Sequence, residues 1–161
     1  MAKKKAGKFY IAYGSNMDVE QMEHRCPGAQ LVSTGEISGW EYLFKGSLTG
    51  SYATIERKKG APNIPVYVWE ITEYDEERLD RYEGFPRFYY KRNIRVKLHS
   101  TQKSAIGMVY IMHEDREPGI PSAEYFNNIR EVYNDHNWPD YILWDALDKS
   151  EDYIRREAKK Q

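Results

Sequence analysis

Tyr10-Ile11-Ala12-Tyr13-Gly14-Ser15-Asn16 is the stretch on which the fold turns. Residues 8–13 are apolar and aromatic enough to form a buried strand, and Gly14-Ser15-Asn16 breaks it. Asp18 then stands as a helix N-cap, with Gln21 three residues later as in a capping box. Met22 and Cys26 share one face of that helix, and Pro27 stops it. A strand that runs through a glycine turn into a helix start aims several backbone N–H groups outward together, which suits an anion. The alternative is a purely structural turn. No GxxxxGK[ST] pattern is present, and Gly14 stands alone, so neither a Walker A loop nor a dinucleotide fingerprint is indicated.

Downstream, strands are expected over 30–38, 40–46, 51–57 and 65–71, with turns near Gly46–Gly50 and Lys59–Pro65. Val66, Val68 and Trp69 suit a half-buried sheet. Thr72 caps a short helix from Glu73 to about Glu83, with Leu79 and Tyr82 inward and Gly84 ending it. Residues 88–98 alternate, with Tyr90, Ile94, Val96 and Leu98 on the buried side, while 104–112 is apolar on both faces and reads as a central strand. Pro118 and Pro121 mark a loop. Ser122 caps a helix carrying Tyr125, Ile129, Val132 and Tyr133 at helical spacing, and Pro139 starts a last helix with Ile142, Leu147 and Ile154 inward. Many strands with a few short helices, most of them C-terminal, indicate an α+β fold rather than a βαβ parallel sheet.

The 161 residues suit one domain, expected over 8–161 after a disordered basic tail at 1–7. Lys and Arg number 24 against 25 Asp and Glu, so electrostatic capture of nucleic acid is not expected. No apolar run approaches the ~18 residues of a membrane helix, and no apolar segment follows the basic start as it would in a signal peptide. A cytoplasmic location is expected. The lone Cys26 excludes an internal disulfide, and His24, His99, His113 and His136 have no metal-ligand spacing. Aromatic residues are 14% of the chain, more than one small core readily needs. Some of Trp40, Trp138 and Trp144 are therefore expected at an interface or pocket rim, and a homodimer is expected; the alternative places all three in the core.

Glu83 is the candidate general base. A carboxylate at a helix C-terminus opposes the helix dipole, and burial among Tyr82, Phe85 and Phe88 would raise its pKa unless a neighbour such as Arg87 offset it. Against this stands the ordinary reading of one solvated acid among 25. Cys26 and His24 lie two apart on a helix, so they do not face each other, and Cys26 reads as a small core residue. Ser15 lacks the GxSxG context of a nucleophile and reads as a hydrogen-bond donor. Tyr125 reads most simply as a core aromatic.

The chain resembles the γ-glutamylcyclotransferase family. The residues that carry the resemblance are Tyr10-Ile-Ala-Tyr-Gly-Ser-Asn-Met17, Arg25-Cys-Pro-Gly-Ala29, Leu79-Asp-Arg-Tyr-Glu-Gly84, Gly107-Met-Val-Tyr110 and Pro121-Ser-Ala-Glu-Tyr125, in that order over roughly residues 9 to 135. The resemblance implies a single α+β domain round a small, mainly antiparallel β-barrel, with no metal and no organic cofactor. It implies cyclisation of a γ-glutamyl group to 5-oxoproline with release of an amine or amino acid. Substrate binding then falls on Tyr10, Ile11, Ala12, Tyr13, Gly14, Ser15 and Asn16, acid/base work on Glu83, and a further substrate contact on Tyr125. Retention of a glutamate at 83 favours an enzyme over the alternative, a non-catalytic small-molecule binding module on the same fold.

Overall fold

The apolar run before Gly14 forms β1 (Lys8–Ala12), and its partners decide the architecture. In the computed structural model, which describes residues 7–47 and 50–161, β1 pairs antiparallel with β5 (Ile64–Ile71), Tyr10 opposite Trp69. The expected N-terminal tail lies outside the described residues apart from Gly7. β5 continues to β2 (Gln30–Ile37), β2 to β6 (Tyr89–Leu98) and β6 to β7 (Ser104–Met112), all antiparallel. The barrel closes where β7 meets β1 in parallel, Tyr10 opposite Met108. There the Ile11 side chain lies against Gly107, where a Cβ would come within 2.8 Å of Ile11 Cγ1.

A second sheet, β4 (Gly50–Arg57), β3 (Trp40–Ser47) and β8 (Glu117–Pro118) in that order, leans on one end of the barrel. The Met112 N–H donates to Thr54 Oγ1 at 3.0 Å, and the Tyr89 hydroxyl donates to the Ala53 carbonyl at 2.8 Å. The helices are α1 (Val19–Arg25), α2 (Glu73–Tyr82), α3 (Ala123–Asp135) and α4 (Tyr141–Lys159). The fold is α+β, a closed barrel with a second sheet, as expected.

Local differences have physical causes. β5 is buried on every residue but Glu70, not half-buried, because it sits between β1 and β2 with its outer face covered: Trp69 donates to the Asn16 carbonyl at 3.0 Å, and Tyr67 packs edge-on to His136 and Trp138. β7 is buried only over its last six residues; Ile106 is exposed. On β6 it is Tyr89, not Tyr90, that is buried, since Tyr89 faces β4 while Tyr90 reaches outward to Glu114. Tyr82 is exposed beneath the Arg25 guanidinium. Pro118 is in a strand, at a sheet edge where its missing N–H costs nothing. In α4, Ile154 is exposed, the buried stripe running through Ile142, Leu143, Ala146 and Ser150. The helix begins two residues after Pro139. Trp40 is buried, whereas Trp144 is partly exposed beside Phe126.

One buried carboxylate ties α2 to the end of α1. Asp75 completes a capping box with Thr72, accepting the Thr72 N–H at 3.0 Å and the Gly28 N–H at 3.2 Å. Asp75→Ala should cost about 2–3 kcal/mol, since it strands two backbone donors beside a fully buried side chain. Urea unfolding checks this; a loss under 0.5 kcal/mol, about the size of a surface substitution, would show that the link is dispensable.

Candidate functional site

β1 delivers its chain to the barrel end where β4 leans across, and the space between is a cavity of about 240 Å³. Tyr10, Ile11, Tyr13, Gly14, Ser15 and Asn16 line one side. Glu83 lines it from the end of α2 and Tyr125 from the first turn of α3. Of the residues expected to bind substrate or act as acid and base, Ala12 alone stays out of the lining, buried in β1. His24 is exposed, and Cys26 is buried with its thiol against the Asp75 carbonyl, burial pushing its pKa up to about 12; neither reaches the cavity.

Two residues past β1, Gly14 is the N-cap of a one-turn 3₁₀ helix (Ser15–Met17), whose first internal bond runs from the Met17 N–H to the Gly14 carbonyl at 3.0 Å. The N–H groups of Gly14, Ser15 and Asn16 precede that bond and are not consumed by it. Asp18 caps α1 by accepting the Gln21 N–H, but the Gln21 side chain returns to the Asp18 carboxylate rather than to its backbone, so the capping box is not reciprocal.

Glu83 is the C-cap of α2. Behind it Gly84 takes the left-handed conformation (φ +65°), with Gly84 N–H to Arg81 O and Phe85 N–H to Asp80 O closing the helix in a Schellman pattern. This reversal leaves Glu83 on the cavity side, where Asn16 Nδ2 lies 3.5 Å from Glu83 Oε1. Burial raises the carboxyl pKa to about 7, against a smaller lowering pull from Arg25. The offsetting cation is thus Arg25, not Arg87, which lines a separate surface pocket with Arg116 and His113.

The tyrosines divide into two groups. Tyr13 donates to the Tyr110 carbonyl, Tyr89 to the Ala53 carbonyl, and Tyr110 to Asp80 Oδ1, so their protons are committed to the scaffold. Tyr10 and Tyr125 instead accept: Tyr10 from Asn16 Nδ2 at 2.8 Å, Tyr125 from the Ala53 N–H at 3.0 Å. Each keeps its hydroxyl hydrogen for another partner. Burial holds the pKa of both above the usual tyrosine value, so both remain donors at neutral pH.

Phe88, expected beside Glu83, lines the cavity with it, whereas nothing local in the sequence marks Tyr52, Tyr89 or Tyr110 as cavity residues; β4, β6 and β7 bring them in across the chain. Tyr52 packs edge-on to both Tyr125 and Phe88, and Tyr52 and Tyr82 are partly exposed at the cavity. Among the described residues no cluster of three or more His, Cys, Asp or Glu could hold a metal ion, and no helix is long and apolar enough to cross a membrane.

A family model described as "Gamma-glutamyl cyclotransferase, AIG2-like" matches residues 10–127. No curated protein gives a significant match. Among solved structures, a γ-glutamyl cyclotransferase superposes with TM-score 0.76 at 23% identity, covering 87% of this chain and 86% of that one. An uncharacterized protein from Homo sapiens gives TM-score 0.76 at 23% identity, over 88% of this chain and 87% of that one. A yeast γ-glutamyl cyclotransferase specific to glutathione gives TM-score 0.61 at 13% identity, over 91% and 97%. At these identities the likeness is one of fold.

Proposed function

The chain belongs to the γ-glutamyl cyclotransferase, AIG2-like family, and from that premise we propose that it converts a γ-glutamyl amino acid or amine to 5-oxoproline and the free amine, with Glu83 as acid and base. One observation carries the reading. A single carboxylate of near-neutral pKa shares one cavity with the Gly14–Asn16 turn, whose N–H groups precede the first bond of the 3₁₀ helix, and with Tyr10 and Tyr125, whose hydroxyls accept hydrogen bonds and keep their own hydrogens to donate.

The reaction needs little more. The neutral α-amine of the substrate attacks its own γ-carbonyl carbon and closes a five-membered ring. The proton it sheds passes to Glu83. The carbonyl oxygen becomes an oxyanion, and the C–N bond to the leaving group breaks as Glu83 returns the proton to the departing nitrogen. No water is consumed and no covalent enzyme intermediate is required. The attack is intramolecular, so holding the folded-over conformer removes much of the barrier. The turn N–H groups and the two hydroxyls are the donors for the substrate carboxylate and the oxyanion.

The test is a panel of γ-glutamyl compounds assayed for 5-oxoproline release by the wild-type protein. Turnover of at least one supports the reading; ligand binding with no release from any of them would favour a binding module. Tyr125→Phe should lower kcat/KM by about 10- to 100-fold and cost about 1–2 kcal/mol of stability, because the buried Ala53 N–H loses its acceptor. Unchanged kcat/KM alongside the stability loss would confine Tyr125 to the scaffold.

A further inference from the structure

The proton transfer described above does not use Arg25, yet Arg25 holds three parts of the site at once. Its Nη1 donates to Asn16 Oδ1 in a short hydrogen bond and lies 3.4 Å from Ser15 Oγ. Its Nη2 donates to Gln21 Oε1 at 2.7 Å, and its Cζ stands 3.7 Å above the Tyr82 ring. The main chain of Arg25 is fixed separately, its carbonyl accepting Arg78 Nε at 2.6 Å, so α1 does not depend on the Arg25 side chain for its docking on α2.

Asn16 can sit two ways round. With Oδ1 held by the guanidinium, Nδ2 faces Tyr10 OH at 2.8 Å and Glu83 Oε1 at 3.5 Å. Flipped, the amide would set N–H₂ against a guanidinium that can only donate, and its oxygen against the carboxylate. The fork geometry that reaches Asn16 and Gln21 together is available to arginine and not to lysine.

We propose that Arg25 is the positioning residue for the Glu83 base: it locks the Asn16 amide with its N–H₂ toward the carboxylate, and its charge, placed behind Asn16 and Tyr82, favours the ionised form that accepts the substrate's proton. Among the described residues, the groups that interact electrostatically with Glu83 besides Arg25 are tyrosines, namely Tyr10 on β1, Tyr13 just after it, Tyr89 on β6, Tyr110 on β7 and Tyr125 on α3. Burial keeps all five neutral below pH 10. Asp80, the next acid along α2, is occupied by Tyr110 OH and Lys91. Arg25 is therefore the charge whose removal the pH profile should register.

The kinetic readout rests on the cyclotransferase reading. Arg25→Gln should move the acid limb of kcat/KM upward by about half a pH unit or more and lower the plateau by about 10-fold or more. Arg25→Lys, which keeps the charge and loses the fork, should leave the limb in place and still lower the plateau by about 10-fold. An unmoved limb in Arg25→Gln, or a wild-type plateau in Arg25→Lys, overturns the proposal. Should Arg25→Gln fail to fold, the Lys variant decides alone. A ¹³C carboxyl titration, with the Glu83 signal identified by its loss in Glu83→Gln, reads the same shift without turnover. A wild-type protein that releases no 5-oxoproline would thus sink the cyclotransferase reading and leave this test intact.

Discussion

Glu83→Gln should lower kcat by about 10²-fold or more while binding of a γ-glutamyl ligand stays within a few-fold. The amide keeps the shape of the carboxylate and one acceptor oxygen but cannot take a proton. Asn16 Nδ2 would still find an oxygen at the Oε1 position. In the wild type the base must be ionised, so the rate should fall as pH drops through the Glu83 pKa of about 7. Stability carries the opposite sign. A carboxyl whose pKa is higher folded than unfolded binds more protons in the folded state, so wild-type stability declines as pH rises from about 4.5 to about 7 and levels off above. Glu83→Gln lacks that decline and should melt higher than wild type at pH 8, the gap shrinking toward pH 5. Stopped turnover together with raised stability is the signature of a functional acid held in an unfavourable place. Near-normal turnover in Glu83→Gln would move the base elsewhere, even with the family assignment intact.

That signature follows from where α2 ends, and the end of α2 is legible in sequence. Thr72 announces the start of the helix, and Gly84 supplies the left-handed residue at its close, placing Glu83 at the last position before the chain reverses. Ser122 and Asp18 mark their helices by the same local chemistry. What sequence could not give was the partner across the cavity. Tyr89 and Tyr90 are adjacent and chemically alike, and alternation put the wrong one inward, because the buried side of β6 at Tyr89 is defined by β4 and not by the barrel interior that buries Ile94 and Val96. Arg25 stands in a motif of the resemblance without a role suggested by its position, since its partners Ser15 and Asn16 meet it only once the 3₁₀ turn folds back along α1. The same limit applies to β8, two residues long, which exists only because β3 offers an edge.

Gly14→Val should abolish binding of a γ-glutamyl ligand, weakening it by about 100-fold or more, while the protein remains folded. Gly14 has a negative φ of −122°, so a side chain there does not force a left-handed backbone. A Cβ would lie 3.3 Å from Tyr125 OH and 3.4 Å from Ala53 Cβ, tight against two cavity residues but short of a backbone collision. The valine methyl groups would extend further into this corner, covering the turn N–H groups and crowding the Tyr125 hydroxyl. Gly14→Ala, with the Cβ alone, should weaken binding by a smaller factor and so grade the effect by volume. Calorimetric titration with 5-oxoproline or a slowly turned-over γ-glutamyl compound reads the binding, and a thermal melt within a few degrees of wild type confirms the fold. The prediction separates two roles for the same glycine. A turn that only joins β1 to α1 would tolerate the added bulk with its ligand affinity unchanged; a turn whose N–H groups hold the substrate would lose its ligand before its fold.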